Sequence, residues 1–277
     1  MIKSLLVKFV GTILFLAVLT GCATPTGNLN NYPIHEIFDT PDGSELNLVM
    51  GEGKLNLIAG NDSLVEGTIQ NNFKDWNPSI QRSSESLKIS QGDISQIVQL
   101  PPKGIVNDWT IQLSNQPTDL FIEAKGYFGD LNLTKANLRT FRILDSFSQT
   151  EIKFEEPNPV NMSIFEVGSA SSTLKLSGLA NANFDLMNFR GVGGNYTLDF
   201  SGQLQHDTPV NIVAGLGNIR VEVPREQAAV VQVSGNTSKF DLQGAWVKDN
   251  GYRNQGTGKQ FTIDIKMDMG FLTLVLK

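Results

Sequence analysis

Polar and apolar residues alternate with a period of two along almost the whole of this 277-residue chain. That is the pattern of strands that bury one face. No stretch keeps a three-four spacing across several turns, so helix is expected to be nearly absent. The alternation also repeats on a longer scale. A pair of apolar residues, one residue apart, follows a glycine or small polar turn at Leu131/Leu133, Ile152/Phe154, Leu174/Leu176, Leu198/Phe200, Ile219/Val221, Phe240/Leu242 and Leu272/Leu274. The first members are spaced 21, 22, 24, 21, 21 and 32 residues apart. A second apolar strand precedes most of the turns, so each unit reads strand, glycine turn, strand, loop. One unit cannot bury its apolar face alone, whereas stacked neighbours can. The predicted fold is therefore all-β: a β-solenoid of roughly 21–24-residue rungs over residues 126–277. A Greek-key sandwich would also give short alternating strands, but not a near-constant repeat length.

Residues 44–125 show the same strand, Gly-x-Gly, strand pattern less regularly, as in Leu46-Asn47-Leu48, Gly51-Glu52-Gly53 and Leu55-Asn56-Leu57. They read as an N-terminal β module that caps or begins the solenoid. In the repeats, Leu176, Phe200, Val221 and Leu242 are expected to form one inward column. Asp199, Arg220 and Asp241 are expected to stack outward as a compensated ladder. The long last interval carries an insertion at residues 244–258, GAWVKDNGYRNQGTG, expected as an irregular excursion. Its Trp246, Tyr252 and Arg253 are candidate interaction residues, either an exposed aromatic hot spot or part of a cap that hides an edge strand.

The first 43 residues differ from the rest. Lys3 and Lys8 lead into Phe9 to Leu19, 11 residues without a charge. This is the length of a signal-peptide core and too short to span a bilayer. Leu19-Thr20-Gly21-Cys22 follows and resembles the lipobox of bacterial lipoproteins. The resemblance implies removal of residues 1–21, a diacylglyceryl group on the Cys22 thiol and an acylated new amine. Several acyl chains anchor a protein where one holds it only marginally. Residues 22–43 then read as the lipidated cysteine and a flexible tether. The expected location is extracytoplasmic, on the cell envelope, with the outer membrane favoured over the inner where one exists.

Formal charge is −6, and −8 once Lys3 and Lys8 are removed. An acidic chain without a Lys/Arg cluster is not a nucleic-acid binder. The single cysteine excludes an intrachain disulfide. Only two histidines occur, His35 and His206, far apart in sequence. They make no metal site, and no Gly-x-Ser-x-Gly elbow accompanies His206-Asp207. Gly191-Val192-Gly193-Gly194 and Gly215-Leu216-Gly217 open no helix, so they do not cradle a phosphate. No catalytic, cofactor-binding or metal-binding residue is therefore assigned.

The run SELNLVMGEGKLNLIAGNDSLVEGTIQNNF from Ser44 is similar to the start of the bacterial toast-rack N-terminal domain. Leu174 to Leu179, Ala214 to Ile219 and Asp268 to Thr273 resemble rungs of the adhesin-like, toast-rack β-helical family. Asp145-Ser146-Phe147-Ser148-Gln149 and Gly168-Ser169-Ala170-Ser171-Ser172 depart from it by lacking the second turn glycine. The resemblance implies a non-enzymatic envelope scaffold or adhesin-like binding module with an envelope protein or glycan as partner. A second reading is a regulatory module of an envelope stress response acting through a membrane partner. A third is a carbohydrate-active enzyme, which the mixed outward charges and missing histidines disfavour.

Overall fold

The computed structural model describes residues 27–37, 44–62, 65–92, 94 and 99–277. Cys22 and the expected signal peptide lie outside the described residues. Among the described residues sixteen strands share one sheet. They are β1 (Asn30–Glu36), β2 (Ser44–Asn61), β3 (Val65–Asn71), β4 (Ser79–Arg82), β5 (Ser86–Ser90), β6 (Asn107–Ser114), β7 (Thr118–Asn132) and β8 (Leu138–Lys153). There follow β9 (Ile164–Ser177), β10 (Met187–Asp199), β11 (Thr208–Val223), β12 (Gln227–Gly235), β13 (Lys239–Gln243), β14 (Val247–Lys248), β15 (Tyr252–Arg253) and β16 (Thr257–Leu276). The all-β solenoid expected from the repeats is what is observed.

Each long strand turns a corner and keeps its register across it, with one to three residues unpaired at the bend. In β8, Phe141, Ile143 and Asp145 are buried at odd positions, and Ser148, Thr150 and Ile152 at even ones. A phase slip of one residue places both halves on the same interior, so the strand folds over it as two arms. β10, β11 and β16 slip in the same place. The unit read as strand, turn, strand is thus one bent strand, paired in parallel with the next on both arms. Asp119 pairs with Thr140, Thr140 with Ile164, Phe165 with Met187 and Met187 with Val210, which are steps of 21, 24, 22 and 23 residues.

Between the arms lies a continuous core. Leu57, Leu131, Ile152, Leu176, Leu198, Val221 and Leu274 form one column of register partners, each at most 1% exposed. Burying such a side chain stabilises by roughly 1.5–3 kcal/mol. The inter-rung connections close the third side with phenylalanines. Phe165 lies 5.1 Å from Phe141 and 5.6 Å from Phe184, and Phe200 lies 4.9 Å from Phe261. Buried asparagines hold these connections to their neighbours. The Asn158 side chain donates to Leu138 O and accepts from Leu138 N, and Asn181 donates to Phe154 O and accepts from Gln203 N. Such amides supply the donor and acceptor that an irregular segment lacks.

The expected column needs two corrections. Leu198, not Phe200, stands between Leu176 and Val221. Phe200 continues past the strand end, and its N–H donates to Glu222 O. Leu242 does not adjoin Val221, because β16 inserts between β11 and the β12–β13 pair, so Leu274 lies between them. Leu242 is on the rim, 39% exposed. The expected Asp199–Arg220–Asp241 ladder is likewise absent. Arg220 pairs with Thr197 and Thr273 across the sheet, and its ion pair is with Glu222, 2.5 Å away on its own strand. Lys277 bridges Asp199 and Glu222 at 3.0 and 2.8 Å.

Both ends of the stack are built alike. The outer side of β2 is covered by β5 on one arm and β6 on the other, with β4, β3 and β1 added antiparallel beyond them. The outer side of β16 is covered by β12 and β13, with β15 and β14 added antiparallel. The boundary expected between residues 125 and 126 falls inside β7, and the sheet runs across it.

Core and surface therefore predict opposite responses to truncation. Leu198→Ala removes a fully buried side chain and should lower unfolding free energy by about 2–5 kcal/mol. Arg220→Ala removes a half-exposed ion pair and should lower it by under about 1 kcal/mol. Denaturant titration of both variants measures the difference. Equal losses would mean that the register described here is wrong.

Candidate functional site

The corner is where rungs differ most. At Gly194, φ is +141°, and a Cβ would sit 2.1 Å from Ser172 O of the neighbouring rung. Only glycine fits there. A Cβ on Gly191 would meet Tyr196 Cε2 at 2.4 Å, so that glycine makes room for the buried Tyr196 ring. β7, β8 and β9 turn the same corner without glycine in the Gly194 register. Tyr127, Ser148 and Ser172 occupy it and point inward. Asp145 and Ser169 stand in register with Gly191 and Ala214.

These side chains form a sealed polar cluster. Asp145 is 5% exposed. Its carboxylate accepts from the hydroxyls of Ser148 and Ser172, and from Ser169 Oγ at 3.2 Å. The Tyr127 hydroxyl is turned toward it. Tyr196 closes the other end, donating to Gly193 O at 2.6 Å. Burial pushes the Asp145 carboxyl above its ordinary range, and the hydroxyl donors offset only part of that. Burial also pushes the Tyr127 phenol well up. The cluster explains why the two departing segments do without the second glycine: short hydroxyls bonded to one carboxylate fill the corner instead. It is not solvent-accessible and includes no histidine. Among the described residues no three His, Cys, Asp or Glu side chains gather as a metal site. His206 lies elsewhere, 3.7 Å from Asp185, and His35 contacts Glu66 at 2.9 Å.

Accessible features lie on the outer faces of the arms. On the first arm a groove of about 570 Å³ is lined by residues including Lys88, Phe121, Glu123, Arg142, Leu144 and Glu166. Phe121, Arg142 and Glu166 are register partners on β7, β8 and β9. The Arg142 guanidinium lies 5.5 Å from the Phe121 ring centre, and its Nε lies 3.2 Å from Glu166. A planar cation held between a ring and a carboxylate is a rigid contact point. Leu144 beside it is 57% exposed, over Gly168 of the next rung. These residues alternate like any other strand positions, so nothing in the sequence singled them out. The neighbouring-rung pairing that creates the groove is the missing signal.

The insertion at 244–258 is a small hairpin. β14 pairs with β15, which pairs with β12. Trp246 is half-buried against the core edge, and its Nε1–H donates to Gln243 O at 3.1 Å. Tyr252 is half-buried 5.0 Å from Phe240. Arg253 is exposed between Val230 and Val247. The three candidates thus sit on the C-terminal edge, with both rings turned toward the last rungs. A cap would bury these rings against the final rungs near Phe261 and Phe271; Phe261 is in the core and Phe271 is 49% exposed on the outer face.

The sealed cluster has a pH signature. A carboxyl whose folded value is raised contributes stability below its unfolded value, and that contribution is lost as pH rises through the folded value. Asp145→Asn keeps the hydroxyl acceptor and removes the charge. Near pH 3.8, the ordinary aspartate value, the variant and the parent should be similar in stability. As pH rises toward neutrality the variant should become progressively more stable than the parent. Melting curves across that range test it, and a difference independent of pH would refute the assignment.

No curated protein matches the chain. Solved structures of similar shape include one named for a proposed role in cell adhesion, from Clostridium sporogenes, at 17% identity and TM-score 0.49, covering 90% of this chain and 100% of that one. A proposed adhesin from Bacteroides fragilis aligns at 11% identity and TM-score 0.46, over 90% and 98% of the two chains. A proposed lipid binding protein from Parabacteroides distasonis aligns at 12% identity and TM-score 0.34, over 91% and 98%. Residues 38–164 match the family model described as the N-terminal domain of toast_rack. The match ends where β9 begins, and the parallel rungs of β9 to β11 and β16 follow in the same sheet.

Proposed function

We propose that this chain is a lipid-anchored, extracytoplasmic binding module of the cell envelope, adhesin-like or scaffolding and without enzymatic activity. The observation that carries the reading is the groove over β7, β8 and β9. There an aromatic-stacked arginine and an exposed leucine stand on a rigid sheet face. Side chains held on strands are positioned more precisely than side chains on loops, and aromatic and arginine anchors dominate contact energetics. Asp145, the more deeply buried of the desolvated carboxylates Glu52 and Asp145, is enclosed among hydroxyls, where no substrate reaches it. The anchor follows from Leu19-Thr20-Gly21-Cys22. No helix of the described residues is long and apolar enough to cross a membrane, so the lipid is the means of attachment in this reading.

Two measurements bear on it. Cys22→Ala should abolish fatty-acid labelling and shift the protein from the membrane fraction to a soluble or precursor form. Unchanged detergent partitioning would remove the anchor from the reading. Leu144→Asp should leave the melting temperature unchanged and abolish the envelope component crosslinked to the wild-type groove. A crosslinked partner that survives the substitution would show that the groove is not the contact.

A further inference from the structure

The second arm carries an outer surface of different chemistry. Phe128, Gln149, Thr173, Asn195, Asn218 and Phe271 are successive register partners on β7, β8, β9, β10, β11 and β16, and all are exposed. The adjoining row at the corner runs through Phe147, Ser171, Gly193, Leu216 and Met269. Neither row holds an ionisable side chain from β8 to β11, although the chain is acidic overall. The next row on the arm is charged but internally compensated, with Lys175 2.8 Å from Glu151 and Arg220 2.5 Å from Glu222. A groove of about 410 Å³ follows the strip over β8, β9 and β10, between Phe147, Gln149, Ser171, Thr173 and Asn195 on the sheet and Gln99 and Leu100 beside it.

The strip is polar over β8 to β10 and apolar toward β11 and β16. Leu216 is 67% exposed, Met269 55% and Phe271 49%, an apolar cluster that the core does not require. Beside it stand unsatisfied hydrogen-bonding groups. Asn218 donates to Asn195 at 2.7 Å, which leaves the Asn218 side-chain carbonyl and the Asn195 side-chain N–H groups for a ligand. The Gln149 and Thr173 side chains make no hydrogen bond among the described residues. We infer that this strip binds an extended, neutral, β-1,4-linked glycan chain laid across the rungs. The pyranoses over β7, β11 and β16 lay an apolar C–H face on Phe128, Leu216, Met269 and Phe271, and those over β8 to β11 turn hydroxyls to Gln149, Thr173, Asn195 and Asn218. One unit of such a ribbon is close in length to the rung spacing, so one side chain per rung meets one sugar over five steps of about 4.8 Å. Hydrocarbon is a poorer match, because it would leave four polar side chains unsatisfied. Nucleic acid is excluded by the lack of cations. An added peptide strand would use a sheet edge, not a face.

The strip is separate from the groove over β7, β8 and β9, so failure of one leaves the other standing. The test is calorimetric titration of the full chain in mild detergent with cellohexaose and chitohexaose, and with the corresponding disaccharides. A hexasaccharide should bind at least about tenfold more tightly than its disaccharide. Phe271→Ala and Asn218→Ala should each weaken it by about tenfold or more, with unchanged melting temperature. Leu144→Asp, in the other groove, should have no effect. Absence of hexasaccharide binding at millimolar concentration by the folded chain overturns the inference. So does binding that is indifferent to both strip variants. A dimer in sedimentation that Leu216→Asp dissolves would assign the strip to self-contact instead.

Discussion

The close approach of one rung's corner to the next governs this fold. At Gly53 and Gly270, as at Gly194, a neighbouring carbonyl oxygen lies about 2 Å from where a Cβ would stand. The register carries round the bend only if each corner lies directly over its neighbour. Where it does, both arms are locked in register at once, and the side-chain columns follow. Variation in rung length is then confined to the connections, which is why steps of 21 to 24 residues coexist with one register on both arms. The corner has two solutions. Glycine tolerates the contact, or inward hydroxyls and one carboxylate rebuild it from the inside, as in β8 and β9. The second solution leaves a desolvated carboxylate, whose burial the surrounding hydroxyls offset only in part.

That constraint separates what the sequence shows from what it conceals. Repeat length is legible because in-register stacking demands it, and the fold class followed. The exact register is not. Leu198 and Phe200 are both apolar and share a face, so either could stand between Leu176 and Val221; the corner four residues earlier decides for Leu198. Placement of β16 was hidden for another reason. Successive strands usually neighbour one another, but here the C-terminal strand fills the place between β11 and β12, after the chain has already passed beyond it. The outward charges therefore meet partners that spacing alone cannot name, as Arg220 does with Glu222 and Lys277 with Asp199. Trp246 and Tyr252 stood out as rare aromatics in a glycine-rich stretch, whereas Phe121, Arg142 and Leu144 become a site only when three rungs align.

The two ends obey the same constraint by different means. β2 and β16 each lack a long partner on their outer side, and each is covered by two short strands with a gap at the corner. In β2 the gap is filled by side chains. Gln91 accepts from Gly51 N–H at 2.9 Å, and Asn107 donates to Glu52 O and to Gln91. Trp109 in turn fixes Asn107 through its indole N–H. In β16 the backbone does it, with Asn236 N–H donating to Met267 O and Ser238 N–H to Gly270 O. Antiparallel strands then blunt both edges, which would otherwise template association.

Guarding the edges has a consequence for function. With both ends covered, contact falls to the outer faces, and these are not equivalent. The phase slip that turns each rung leaves consecutive outward residues at the corner, such as Ser146 and Phe147 in β8. The corner is thus the one place where a rung exposes more side chains than strict alternation allows, and none of them serves the core. Leu216 and Met269 occupy that place on neighbouring strands. Their exposure is not explained by the interior, which is already filled by Ala214, Met267 and the Tyr196 ring. A bend that exists for packing therefore sets one outward position per rung along the corner, filled by exposed apolar side chains at Leu216 and Met269. Such a line suits a ligand that is itself a linear repeat better than a compact one.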